Sequence, residues 1–539
     1  MFLLFTFLFN LFFGNEPIKA DAIFFNGRIY TVNAAMEVTD AFVIKDGKFL
    51  EVGKGNYIKN KYIAPKQIDL NKSAVYPGLI DAHCHFYYYG KDLKNVNLDG
   101  CKSYEEVLER VKKHHQNYKT AWLTGRGWDQ NLWVEKEFPN LNELDKLFPN
   151  VPVLLSRIDG HAALANSAAL KLANFTIATE IEGGLIEKNN GKLTGIVLDR
   201  AYDSLLTIIP EDTKEQQIVS LLLAQKNVFE VGLTTVDDAG LTWDIIQLID
   251  SLQKANELKI RVYAMADSEP KSLKRILERG IYKTQKLNVR SVKVYGDGAL
   301  GSRGACLLKP YSDKSESGFL LHDVSYFNEV AKSVYEKGFQ MNTHCIGDSA
   351  VRLLTNIYGV YLKGKNDLRW RIEHAQVVNK MDINKFETFS IIPSVQPTHA
   401  TSDMEWADER LGTDRIKTAY AYKDLLDKRG LIAAGSDFPI ENINPLYGFF
   451  SAIARTNQFM KPVKGFQPEN KLSRIEALKA MTIWAAYSNF EDQEKGSIEK
   501  GKMADFVILE KDIMKIPLNQ IRDTKVVSTW IGGEMVFGK

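Results

Sequence analysis

YPGLIDAHCHF, residues 76–86, is a short apolar run that ends in two histidines one residue apart. Side chains on an extended strand alternate between faces, so His83 and His85 project together while Cys84 points the other way. Two imidazoles side by side at a strand end are the start of a metal chelate. A lone histidine in an apolar run is ordinarily a hydrogen-bonded core residue, so the rest of the chain has to decide.

Working outward, seven further runs read as strands: GLTTVDDAG, IRVYAMAD, VRSVKVYGDG, GFQMNTHCIG, RWRIEHAQ, SIIPSVQP and IAAGSDFP. Stretches such as KSLKRILERG and DSAVRLLTNIYGVYL separate them, with the apolar spacing of amphipathic helices. Strand and helix in alternation mean βα units around a parallel sheet, and eight runs predict an α/β fold of the (β/α)₈ barrel class over residues 76–496. The interval between the first and second runs, about residues 87–230, is too long for one βα connection and predicts an inserted subdomain. Outside the barrel, ADAIFFNGRIYTVN and AFVIKDGKFLEVG near the start, and ADFVILEKD and VVSTWIGGEMVFGK near the end, read as strands with NG, DG and GG turns. Each piece alone has too few strands for a core, so residues 20–75 and 497–539 are expected to complete one β-domain together.

The composition is that of an ordinary globular chain of 539 residues, 45% hydrophobic and 25% charged, with a formal charge of +2 and no long run of either sign. That removes the electrostatic basis for nucleic-acid binding. The four cysteines, Cys84, Cys101, Cys306 and Cys345, are too few and too widely spaced for a disulfide framework and read as free thiols. Residues 1–19 open with MFLLFTFLFNLFF, too short to span a bilayer and signal-like in its apolar centre. This leader favours export or membrane association over the cytoplasm, and membrane contact is expected only through it if it is uncleaved.

Catalytic groups in such a barrel come from the C-terminal ends of several strands. There the chain places His83 and His85, then Lys293 in SVKVYGDG, His344 in MNTHCIG, His374 in RIEHAQ and Asp437 in AAGSDFP. Of only nine histidines, four fall at strand ends in regular order, and imidazole with carboxylate is the ligand set for zinc or a related divalent ion. Asp437 also sits in good helix-capping chemistry, Ser-Asp-Phe-Pro. A buried Lys293 beside cations calls either for a salt bridge to a carboxylate or for conversion by carbon dioxide to a carbamate, which would admit two metals. His114 and His115, in ERVKKHHQNYK, read as a solvated helix face, and His322 as a loop residue.

These segments, with RIDGHAALANSAAL, VKVYGDGALGSRGA and KGSIEKGKMADFVIL, make the chain resemble the amidohydrolase superfamily from Ala20 to Lys539, specifically the branch of N-substituted formamide deformylases and YtcJ-like proteins. The resemblance implies a metallohydrolase barrel with a composite β-sandwich. It also implies metal ligands at His83, His85, Lys293 as a carboxylated lysine, His344, His374 and Asp437. One or two divalent ions, zinc foremost, are implied, and a homodimer follows by analogy alone.

A metal in that set lowers the pKa of water toward neutrality and polarises a carbonyl under attack. Asp437 is then the natural proton acceptor, passing the proton to a departing amine nitrogen. The expected reaction is hydrolysis of a non-peptide C–N bond, an amide or N-formyl or N-acyl group of a small molecule. The same site acting on an ester, lactone or cyclic amide is the alternative, and a non-catalytic barrel scaffold is a third reading. His161 in DGHAALANS is a candidate oxyanion stabiliser or a structural residue. Arg303, in the glycine-rich turn after the fourth run, is a candidate substrate contact, although a tight βα turn also explains the glycines. Tyr87, Trp128 and Trp406 are candidate pocket walls or simply core.

Overall fold

The computed structural model describes residues 17–117, 121–157, 162–181 and 184–538. His161 and residues 1–16 of the leader lie outside the described residues. All eight runs form strands of one parallel sheet, in chain order. They are β1 (Leu79–Cys84), β2 (Leu233–Leu241), β3 (Arg261–Ala266), β4 (Leu287–Tyr295), β5 (Gln340–Cys345), β6 (Arg371–His374), β7 (Ile392–Val395) and β8 (Ala433–Ala434). Backbone bonds from Asp437 N to His83 O (2.7 Å) and from His85 N to Phe438 O (2.8 Å) draw β1 and the segment after β8 together, closing the sheet into a barrel.

The helices between strands follow from local sequence. In the helix Pro270–Arg279, Pro270 opens the first turn, the Glu269 carboxylate accepts from Lys271 N and Ser272 N (both 3.0 Å), and Gly280 at φ 78° ends it. Ile276 and Leu277 bury its apolar side. The stretch DSAVRLLTNIYGVYL is the helix Asp348–Leu362 between β5 and β6.

The two chain ends share a sheet. Strand Ala74–Pro77 pairs antiparallel with Phe506–Leu509, which pairs with Val526–Ile531. A four-stranded sheet of N-terminal strands packs on it through Phe24, Phe42, Phe49, Ile498 and Phe506. Phe24 stacks on Phe42 at 4.8 Å and Phe506 on Trp530 at 5.3 Å. Each fully buried aromatic contributes about 1.5–3 kcal/mol, so this core needs strands from both ends of the chain.

Residues Tyr87–Ala224 form a second compact unit. It carries a six-stranded mixed sheet that includes Leu123–Trp128, Val153–Arg157 and Lys192–Asp199, with its own apolar cores. His114 and His115 lie in this unit and are half-buried, which corrects the expectation of a solvated face. A ring nitrogen of His114 bonds the Lys94 carbonyl at 2.6 Å, and His115 packs edge-on against Phe148 at 5.5 Å. Helix Tyr104–Asn117 turns Val107 and Val111 inward, and the histidines follow on the flank of that stripe. Among the described residues no helix is long and apolar enough to cross a membrane.

Candidate metal centre

The mouth of the barrel is built from strand ends. On β1 the register with β2 slips between Asp81 and Cys84, a local irregularity that aims His83 inward. His83 Nδ1–H donates to Glu373 Oε2 at 2.5 Å, and His85 Nδ1–H donates to the Ala239 carbonyl at 3.0 Å. With both Nδ1 atoms committed, both Nε2 atoms face Asp437, at 3.6 Å from its Oδ1 for His83 and 3.3 Å for His85. Two donors on one tetrahedral ion with bonds of about 2.1 Å stand roughly 3.4 Å apart, so these separations match a shared cation.

Glu373 is in turn gripped by Arg371, whose Nε donates to Glu373 Oε1 at 2.6 Å and whose Nη1 reaches Asp237 Oδ2 at 3.0 Å. Arg371, Glu373 and Asp237 are all fully buried. Burial alone would raise the Glu373 carboxyl, but the Arg371 guanidinium and His83 hold it far below the usual range, so it stays an acceptor for His83. The opposite wall is tied by Asp81, which accepts from Ser436 Oγ (2.6 Å) and Ser436 N, beside Asp437. Gly435 has to be glycine: a Cβ there would come within 2.7 Å of Asp81 Oδ1 and closer still to His83 N.

Lys293, from β4, places Nζ 3.1 Å from His83 Nε2, and burial lowers its ammonium to about 8. Among the described residues no carboxylate forms an ion pair with it, so the salt-bridge alternative finds no partner there. Burial, with Lys293 alongside, pushes His83 down to about 4 and His344 to about 3, so both are neutral lone-pair donors at pH 7. His344 and His374, from β5 and β6, meet edge-to-face with ring centroids 4.5 Å apart, and His374 stands 4.9 Å from His83. For Asp437, burial works to raise the carboxyl, and the imidazoles of His85, His83, His374 and His399 outweigh it and hold it ionised. Asp437 at φ 63° and His374 at φ 70° both lie in the left-handed region, at a cost of roughly 1 kcal/mol each.

Asp437 Oδ1, His344 Nε2, His374 Nδ1 and His399 Nε2 are buried without a hydrogen-bond partner among the described residues. Orphaned lone pairs on imidazoles and a carboxylate, converging from separate strands, fit a divalent cation better than any internal network. His399 is the member that sequence reasoning missed. It lies in the helix Pro397–Ser402 directly after β7, and its place in THATS at the end of the seventh run was the available signal. Asp81, Arg371 and Glu373 were likewise passed over inside runs read as plain strand.

The cluster opens on a cavity of about 410 Å³ lined by Tyr295, Leu300, Trp406 and Ile440 as well as by His85, Lys293 and Asp437. Trp406 therefore lines the pocket, its ring against Gly301. Arg303 does not: its guanidinium pairs with Asp313 at 2.5 Å, and that carboxylate is shared with Arg410. Trp128 and Tyr87 belong to the second unit. The Trp128 indole is buried there and donates to Leu155 O at 2.7 Å, a core position, and Tyr87 is also buried.

A family model described as Amidohydrolase family matches residues 66–537. YtcJ of Bacillus subtilis (strain 168) is 32% identical over 531 residues, which cover 96% of this chain and 99% of that protein. N-substituted formamide deformylase of Arthrobacter pascens is 26% identical over 542 residues, covering 96% and 98%. Among solved structures, an uncharacterized metal-dependent hydrolase from Pyrococcus horikoshii OT3 superposes with a TM-score of 0.80 at 27% identity, covering 93% of this chain and 99% of the other.

Proposed function

The chain belongs to the amidohydrolase family, a family of metal-dependent hydrolases, and on that premise we propose that it hydrolyses a non-peptide C–N bond, an N-formyl or N-acyl amide, in a small molecule. The observation that carries this reading is the convergence of orphaned imidazole nitrogens and one Asp437 oxygen at the floor of an open cavity. A cation bound there, zinc foremost, would acidify water and polarise the substrate carbonyl. His83, His85, His344, His374 and Asp437 are the residues that would hold it. Lys293 joins them as a carbamate: an uncharged amine in this buried position adds carbon dioxide, loses a proton and becomes an anionic ligand.

Asp437 lies at the border of chelate and cavity, where its carboxylate takes the proton from the attacking water. It then returns that proton to the nitrogen of the departing amine, which leaves neutral. His85 Nε2 stands 3.3 Å from Asp437 Oδ1, and the apolar faces of Leu300, Trp406 and Ile440 receive the non-reacting part of the substrate. The 26% identity to a formamide deformylase supports the choice of N-formyl amines as first substrates.

The test is hydrolysis of a panel of N-formyl and N-acetyl amines by zinc-loaded protein, beside Asp437→Asn. Turnover by the wild type, falling by about 10²–10⁴ in a variant that retains metal, is the expected result. A fully loaded wild type that cleaves no amide in the panel but cleaves esters or lactones would overturn the assignment of the bond.

A further inference from the structure

Beyond the metal cluster, the wall of the same cavity carries two more carboxylates, Asp403 and Glu441, both half-buried. Asp403 follows His399 along the helical turn Pro397–Ser402 and its continuation Asp403–Glu405, a rise of about 6 Å. Glu441 follows Asp437 past a turn closed by Ile440 N on Asp437 O at 2.9 Å. Ser402 joins the two segments, its hydroxyl donating to Glu441 Oε1 at 2.5 Å. Asp403 Oδ2 accepts from Tyr420 Oη at 2.8 Å and from Gln376 Nε2 at 3.4 Å, and Gln376 Nε2 also donates to Tyr420 Oη at 2.9 Å. The carboxylate is therefore fixed in place. Among the described residues no lysine or arginine forms an ion pair with either acid, and Arg410, 5.7 Å from the Trp406 ring, is committed to Asp313. Burial raises the Asp403 carboxyl above its ordinary value against the pull of His399 and Tyr420, and the Glu441 charge adds to the rise.

That this cavity takes a ligand is marked independently by Asp437 Oδ1 and His374 Nδ1, buried and unpartnered on its wall among the described residues. Two like charges facing one partly desolvated cavity, with no cation of the protein's own, are stabilised by a cation that the ligand brings. The oxygens of Asp403 and Glu441 join no group of three donors close enough to hold a metal ion among the described residues, which leaves an organic ammonium or guanidinium. We infer that Asp403 and Glu441 select a substrate whose non-reacting end is positively charged, so that the amide cleaved here belongs to a mono-N-acyl diamine or a related cationic amine. This rests on the reading of the site as an amide hydrolase and names the substrate class for it. The scissile carbonyl lies at the chelate, a short alkyl spacer runs along Leu300, Trp406 and Ile440, and the ammonium reaches the acid pair. An anionic end group finds no partner, because Lys293, the lysine on the cavity wall, is taken up by the metal cluster.

Three N-formyl probes of matched length test this on zinc-loaded, full-length protein: mono-N-formyl tetramethylenediamine, N-formylpentylamine, in which a methyl replaces the ammonium, and the corresponding ω-formamido carboxylate. The readout is the ratio of kcat/KM values within each protein, for the wild type, Asp403→Asn, Glu441→Gln and Glu441→Lys. The wild type should prefer the ammonium probe to the methyl probe by at least about tenfold, expressed in KM, with the carboxylate probe last. Asp403→Asn and Glu441→Gln should each lower that preference by about threefold or more, and Glu441→Lys should shift it toward the carboxylate probe. Calorimetric titration with tetramethylenediamine and with pentylamine reads the same selection without turnover, and the diamine should bind the wild type at least about tenfold more tightly. A wild type that cleaves the methyl probe as well as the ammonium probe overturns the inference and leaves amide hydrolysis standing. A preference that survives all three substitutions does the same. If no probe is cleaved, the proposed function fails and the titration decides the inference, which equal affinities for the two amines would overturn.

Discussion

Arg371 carries more of the site than any ligand does by itself. Its guanidinium is fully buried and divides its donors among Glu373, Asp237, the Ala82 carbonyl and Ser394 Oγ. Removing it strands two buried carboxylates, which typically costs about 3–5 kcal/mol. Arg371→Met should therefore lower the unfolding free energy by that amount, seen as a lower denaturation midpoint at unchanged m-value, and it should loosen His83, whose ring is aimed by Glu373. Arg371→Lys is expected to rescue little, because one ammonium cannot reproduce the forked contacts. A chemical denaturation series on metal-free protein checks this, and a loss below about 1 kcal/mol would contradict it. These residues also mark what the sequence conceals. His83, His85, His344, His374 and Asp437 announce themselves because a polar side chain at the end of an apolar run needs a reason. Arg371 and Glu373 alternate with apolar neighbours just as a half-exposed strand would, and only barrel closure turns that face inward. His399 sits beyond its strand, on a turn whose direction no spacing rule specifies.

At the scale of elements, the barrel depends on its shortest strand. β8 is two residues long, and closure relies on the segment after it, where Gly435, Ser436 and Asp437 run against His83. A methyl group at Gly435 meets the His83 backbone nitrogen, which cannot step aside, and the Asp81 carboxylate, which His83 N and Ser436 hold in place. Gly435→Ala should cost about 1–3 kcal/mol by overpacking. Because the same segment carries Asp437, zinc affinity should fall at least tenfold, read by competition with a chromophoric chelator. Unchanged affinity with lowered stability would show that the strain is absorbed away from the ligands. The eight strands were legible because each is an apolar run bounded by turn residues. The order within Tyr87–Ala224 was not, since its six strands mix parallel and antiparallel pairings that no fixed connection length betrays.

At the scale of the molecule, a buried ion pair helps to fasten the barrel to the terminal sheets. Arg261, at the start of β3, meets Asp505, the residue before Phe506–Leu509, through Nε to Oδ2 at 2.6 Å and Nη2 to Oδ1 at 2.8 Å. Asp505 Oδ1 also accepts from Gly532 N at 2.7 Å, so one carboxylate joins the barrel to the turn between the last two strands. Both side chains are almost wholly buried. Asp505→Ala leaves an unpaired guanidinium and an orphaned amide, and is expected to destabilise the protein by about 3–5 kcal/mol. The double variant Arg261→Met/Asp505→Leu removes the stranded charge as well. It should recover more than half of that loss, because a buried pair is worth little against apolar residues of similar volume. Zinc stoichiometry should be the same in both variants at low temperature, since Arg261 and Asp505 join β3 to the terminal sheet and neither lines the cavity that holds the ligands. Denaturant unfolding of the wild type and the two variants decides this: a double variant no more stable than Asp505→Ala would mean that the Gly532 contact, and not the charge pair, secures the terminal sheet to the barrel.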